Sequence, residues 1–154
     1  MMVLFAGVAY ASPSSFVYQG QIIKPSGQAL EEPSVTFTVE IYSPGAEQCL
    51  LFQETHTINM VGSKGVFTLP LGEGSRSGSD WEDTSTLVQA FNNNAGTITV
   101  TTCTIGTDYT PTASDKRKIR LSFDDGSGPV VANMQEIHSA PFALSAASVG
   151  GIAA

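Results

Sequence analysis

A chain of 154 residues, 42% hydrophobic and 14% charged, has room for one core that buries roughly two-thirds of its unfolded surface, and not for two. Its 14 acidic and 7 basic residues give a formal net charge of -7. The densest basic run, Lys116-Arg117-Lys118 with Arg120, is too small to neutralise a phosphate backbone against that field. This excludes nucleic acid as a partner and argues against docking on an anionic membrane surface.

The first eleven residues, MMVLFAGVAYA, are almost wholly apolar and end in Ala9-Tyr10-Ala11, a small-x-small pattern that a signal peptidase cuts before Ser12. Residues 1–11 therefore read as the remnant of a secretory leader, with a buried first strand as the alternative. No later stretch has the roughly 20 apolar residues of a membrane span. Ser12 to Ser15 is polar, and FVYQGQII from Phe16 begins the first strand, closed by the turn KPSGQ with Pro25 and Gly27. A second turn falls at Glu31-Glu32-Pro33.

From Val35 to Tyr42, VTFTVEIY alternates without a break, setting Val35, Phe37, Val39 and Ile41 against Thr36, Thr38, Glu40 and Tyr42. That is a strand with one dry face. SPGAEQ is a turn signal, and CLLFQETHTI from Cys49 supplies the second arm of an antiparallel hairpin. After the turn Val61-Gly62-Ser63-Lys64-Gly65, VFTLPLG is a further strand whose Pro70 places it at an edge or at its own end.

GEGSRSGSDWED, Gly72 to Asp83, has loop composition with one large apolar residue, Trp81. Thr84 to Asn94 changes period, with Leu87, Val88 and Phe91 on one side, and predicts a short helix capped by Asp83 or Thr84. TITVTTCTI, Thr97 to Ile105, alternates again and places Cys103 opposite the apolar Ile98 and Val100 unless a bulge intervenes. KIRLSF then points Ile119, Leu121 and Phe123 inward, with Lys118, Arg120 and Ser122 outward. It ends in the turn DDGSGP, and a last strand covers Val130 to Ile137. The predicted fold is all-β: an antiparallel β-sandwich of about seven strands over residues 12–140, with one short helix inserted. Residues 141–154, PFALSAASVGGIAA, form a small-residue C-terminal segment, read as a helix and the start of an oligomerisation stalk. Its Phe142, Leu144, Val149 and Ile152 are too sparse for a core within one chain, and are expected to meet their copies in another.

Two cysteines in an exported chain point to a Cys49–Cys103 disulfide, two separately buried thiols being the alternative. The alternation at Cys103 counts against the pairing. His56 and His138 lack the Cys-x-x-Cys or HExxH partners of a zinc site, so neither metal nor cofactor is expected. His56 is read as a surface or cross-strand residue, and His138 as part of a turn or subunit contact. Asp124-Asp125-Gly126-Ser127-Gly128 has oxygen ligands but not the acidic spacing of a calcium loop, and reads as a hairpin turn. Without a Gly-x-Ser-x-Gly elbow, no catalytic residues are assigned. Asp80-Trp81-Glu82-Asp83 offers two readings: Trp81 with Asp80 and Asp83 binds a sugar, or Trp81 tucks onto the sandwich and anchors its loop.

FVYQGQIIKPSGQAL, VTFTVEIYSPG, CLLFQE, KGVFTLPLGEG, IRLSF and MQEIHSAPFALSAASVGGI, in that order, resemble the N-terminal β-domain of exported bacterial trimeric fibre proteins of adhesin type. In that family a YQG strand opens the domain, a G-x-F-x-x-x-L-G strand lies in its middle and a P-Y/F-A-x-x-A stretch closes it. The match covers most of Phe16 to Ile152. The resemblance implies a non-enzymatic structural or assembly module, exported to the cell surface, periplasm or medium. The resemblance also implies a homotrimer, with a cell-surface glycan or a protein of another cell as its partner. The alternative is a carbohydrate- or surface-binding module that uses the loop around Trp81.

Overall fold

The computed structural model describes residues 15–138. The leader at 1–11 and the segment 141–154, with Phe142, Leu144, Val149 and Ile152, lie outside the described residues. The rest is an all-β, antiparallel domain. Its centre is β2 (Val35–Tyr42), which pairs on one side with β3 (Leu50–Ile58) and on the other with β7 (Arg117–Asp124). Val35, Phe37, Val39 and Ile41 are fully buried, as the alternation predicts, and each contributes about 1.5–3 kcal/mol of hydrophobic stabilisation.

A separate ribbon of β1 (Phe16–Gln21) and β4 (Val66–Leu71) covers that dry face. Phe67, Leu69 and Leu71 point into the core, and the Phe67 ring lies 4.8 Å from that of Phe37. Pro70 sits in this two-stranded ribbon, where its missing N–H costs no ladder bond to a third strand.

Nine strands are present among the described residues, against about seven expected, and the surplus has local causes. The run 97–105 is a strand only at β5 (Ile98–Thr99), because the chain turns and comes back as β6 (Asp108–Tyr109), with the Val100 amide donating to the Thr107 carbonyl at 2.7 Å. The last strand is split into β8 (Pro129–Val131) and β9 (Gln135–Ile137), both paired to β7.

The predicted helix at 84–94 is corrected to two single turns, α1 (Trp81–Thr84) and α2 (Leu87–Ala90). The break falls at Ser85, buried at 3% exposure, whose hydroxyl donates to the Leu51 carbonyl at 2.7 Å. The cap of α2 is Thr86, which forms a reciprocal capping box with Gln89, and not Asp83 or Thr84.

The two ends of the described chain lie together. Phe16 opens β1 with its ring 6.1 Å from that of Phe91. Ala90, beside Phe91, accepts a 2.6 Å hydrogen bond from Arg117 Nε, and Arg117 pairs with Ile137 at the end of β9. The far end of β7, at Phe123, meets the other end of β1 through Phe37 and Phe67. The domain thus has a terminal pole, where the chain enters and leaves, and an opposite pole at 22–30 and 123–130.

Candidate assembly surface

Two of the motifs that carry the resemblance, YQG and the strand from Gly65 to Gly72, meet each other. Gly20 of YQG pairs directly with Phe67, and a Cβ on Gly20 would stand 2.5 Å from Phe67 Cζ; the bare backbone is what lets the ring lie flat. Gly65, at φ 76, passes so close to Ile22 that a Cβ there would fall 2.3 Å from its carbonyl oxygen. At the far end of the motif the amide of Gly72 donates to both oxygens of Glu54, at 3.0 and 3.1 Å, and that of Gly74 donates to Oε2 at 3.0 Å. Glu54 is 1% exposed, so its buried charge is held by backbone N–H groups.

His56 Nε2 lies 3.0 Å from Glu54 Oε1. The register places His56 opposite Phe37 and Glu54 opposite Val39. His56 therefore belongs to the inner face with 9% of its side chain exposed, the cross-strand alternative and not the surface one.

Two arginines add further charge on this side, Arg117 buried and Arg76 half-buried, and Glu82 is buried as well. Arg76 lies over the Phe52 ring at 4.2 Å and donates to the carbonyls of Ser85 and Glu82; burial pulls its guanidinium below the ordinary value, and the charge of Glu54 offsets part of that. Arg117, 2% exposed, stacks on Tyr109 at 5.3 Å and donates to Ala90 O and Asn93 Oδ1. Burial lowers its pKa, and raises that of the Tyr109 phenol, whose hydroxyl donates to Asp115 at 2.9 Å. Arg117 is thus a core residue rather than a member of an open basic cluster. Its parity with Ile119 and Leu121 is the sequence signal for this. The corresponding signal for Glu54 is the series Phe52, Glu54, His56, Ile58.

The outer face carries a bidentate pair, Arg120 Nε and Nη2 to Glu40 at 2.6 and 2.8 Å, with the guanidinium over the Tyr42 ring at 4.9 Å. Burial, and then the Glu40 charge, push the Tyr42 phenol up, whereas the hydrogen bond to Glu40 raises Arg120.

Cys49 and Cys103 form a disulfide across a sequence separation of 54. The conflict of parity disappears because regular pairing stops after Thr99. The turn that follows lies along the start of β3, with the Leu50 amide donating to Thr102 O at 2.9 Å and the Thr104 amide to Glu47 O at 2.7 Å. These bonds turn Cys103 toward the fully buried Cys49.

Trp81 packs its indole against the core with Nε1 buried, the anchoring alternative, and Asp83 stands near Arg76. Asp80 is exposed, and its carbonyl accepts from the Thr84 hydroxyl at 2.9 Å. Asp124 and Asp125 spend one oxygen each on the amides of their own turn, Gly126, Gly128 and Ser127. Among the described residues no group of three or more His, Cys, Asp or Glu side chains is placed to hold a metal ion. Nor is any helix there long and apolar enough to cross a membrane.

At the pole opposite the termini, an open cleft of about 700 Å³ separates the 22–30 turn from the β7–β8 hairpin. Leu30 and Phe123 lie at its base, Ile22 and Pro129 line it, and Ile23 and Val130 are half exposed at its rim. Lys24 and Asp125 face each other across it at 4.0 Å. His138, at the other pole, is exposed beside Glu136.

Fold and surface together define an all-β domain stapled by one disulfide. The chain belongs to the family described as a domain of unknown function, DUF8740, whose model matches residues 17–114. That span runs from β1 through β6 and stops before β7. No curated protein and no solved structure matches the chain.

Proposed function

We propose that this domain is a non-enzymatic structural and assembly module of an exported, trimeric surface fibre of adhesin type. The observation that carries the reading is the position of the termini: both ends of the described chain emerge at one pole, from Phe16 and from Ile137. A domain hung from a stalk by its C-terminal end fits this arrangement, which keeps the other pole clear of the stalk. The segment that continues from that pole holds Phe142, Leu144, Val149 and Ile152 among small residues, and three copies around an axis bury these side chains against one another. The disulfide fits the oxidising compartments that an exported protein occupies.

The test is solution mass. The full chain is expected to sediment as a trimer, and deletion of residues 143–154 to return it to the mass of one chain while thermal unfolding stays cooperative. A full chain that is a single copy at every concentration refutes the reading.

A further inference from the structure

At the terminal pole an aromatic pair is left open to solvent. Phe16, at the start of β1, is 39% exposed, with its ring 6.1 Å from that of the half-buried Phe91, the residue that caps α2. Val88 stands three residues before Phe91, a neighbour at helical spacing, and is 59% exposed. The single turn of α2 thus sends Leu87 and Ala90 into the core and leaves Val88 and Phe91 on its other side, next to Phe16.

The chain leaves the domain beside this patch: Ile137 is the register partner of Arg117, which donates to the carbonyl of Ala90, the neighbour of Phe91. Phe142 follows His138 by four residues, at most about 14 Å fully extended. Where three copies of Phe142 meet on one axis, the three poles are held within roughly that reach of it. A tether so short gives each pole an effective concentration of its neighbours on the order of millimolar. A few exposed apolar side chains then suffice for contact, and those nearest a three-fold axis meet their own copies.

We infer that the patch of Phe16, Val88 and Phe91 packs against the same patch of neighbouring copies, where the stalk begins. This rests on the assembly reading above and adds a contact between the domains themselves. The experiment uses the full chain with a photoreactive benzophenone amino acid in place of Val88, whose exposure lets the larger side chain sit outside the core. Irradiation is expected to give covalent species of two and three chains, with adducts on peptides that contain Phe16 or Phe91. Adducts confined to single chains place the patch against its own chain and overturn the inference; so do adducts elsewhere, or none.

Val88→Glu and Val130→Glu add a paired measurement, since each puts one negative charge on a half-exposed valine, at opposite poles. Both variants are expected to keep cooperative unfolding. Val88→Glu should weaken self-association at least about tenfold in sedimentation, and Val130→Glu should leave it unchanged. Equal effects of the two, or none from Val88→Glu, overturn the contact between domains and leave the trimer standing, whereas an unsubstituted full chain that is a single copy overturns both.

Discussion

Placing a methyl group on Gly20 is the sharpest test of how the two layers meet. In the structure the added Cβ falls 2.5 Å from Phe67 Cζ and 2.8 Å from Cε1, against the 3.5–4.0 Å at which carbon atoms attract. The Phe67 ring cannot swing clear, since it is 4% exposed and held between Phe37 at 4.8 Å and Tyr18 at 6.1 Å. Relief therefore needs a shift of about 1 Å in a packed core, and overpacking of this kind costs about 1–3 kcal/mol. Loss of glycine's freedom in the unfolded chain returns about 0.4–1 kcal/mol, so Gly20→Ala should destabilise by about 1–2 kcal/mol net. Urea unfolding with an unchanged m-value measures it. Phe67→Leu removes the clashing ring atoms, so the double variant should be little less stable than Phe67→Leu alone, a favourable coupling of about 1 kcal/mol or more. Equal stability of Gly20→Ala and the native chain, or strict additivity with Phe67→Leu, would refute the stacking of this ring on bare backbone.

Opening the disulfide by Cys49→Ser with Cys103→Ser should cost about 4 kcal/mol in the chain-entropy model for a loop of this length, and reduction of the native protein should lower its melting temperature in parallel. Glu54→Gln turns an amide donor toward the N–H groups of Gly72 and Gly74; about 2–4 kcal/mol of lost stability and faster hydrogen exchange at those two amides are expected, and unchanged exchange would contradict the assignment. Asp115 has its carboxyl held below the ordinary 3.8, first by the Thr112 hydroxyl and then by the Thr112 amide and the Tyr109 hydroxyl. A folded value below the unfolded one means stability that is present above pH 4 and drains away as pH falls through the folded value. Asp115→Asn should therefore lose stability near neutral pH and show a shallower acid limb, and parallel pH profiles for the two proteins would count against it.

Local pattern alone specifies the strands that one dry face of a sheet demands. Val35 to Tyr42, the arm from Cys49, the ribbon strand at Val66 and the run to Phe123 were all legible, because strict alternation has only one inexpensive solution, a dry face and a wet one. Tertiary structure decided where alternation is interrupted. Cys103 reaches Cys49 because backbone bonds to Glu47 and Thr102 end the strand after Thr99, a pairing across some fifty residues that no local pattern encodes. The helix from Thr84 was cut by Ser85, whose hydroxyl is drawn to Leu51 of a distant strand. Charges deceived local reading in the same way: Glu54 and Arg117 are polar letters that the fold buries and Arg76 one that it half-buries, since amides of Gly72 and Gly74, the carbonyls of Ser85 and Ala90, and the faces of Phe52 and Tyr109 are waiting for them. A sequence shows which residues carry charge, while only the folded chain shows which of them has been given a partner that makes burial tolerable.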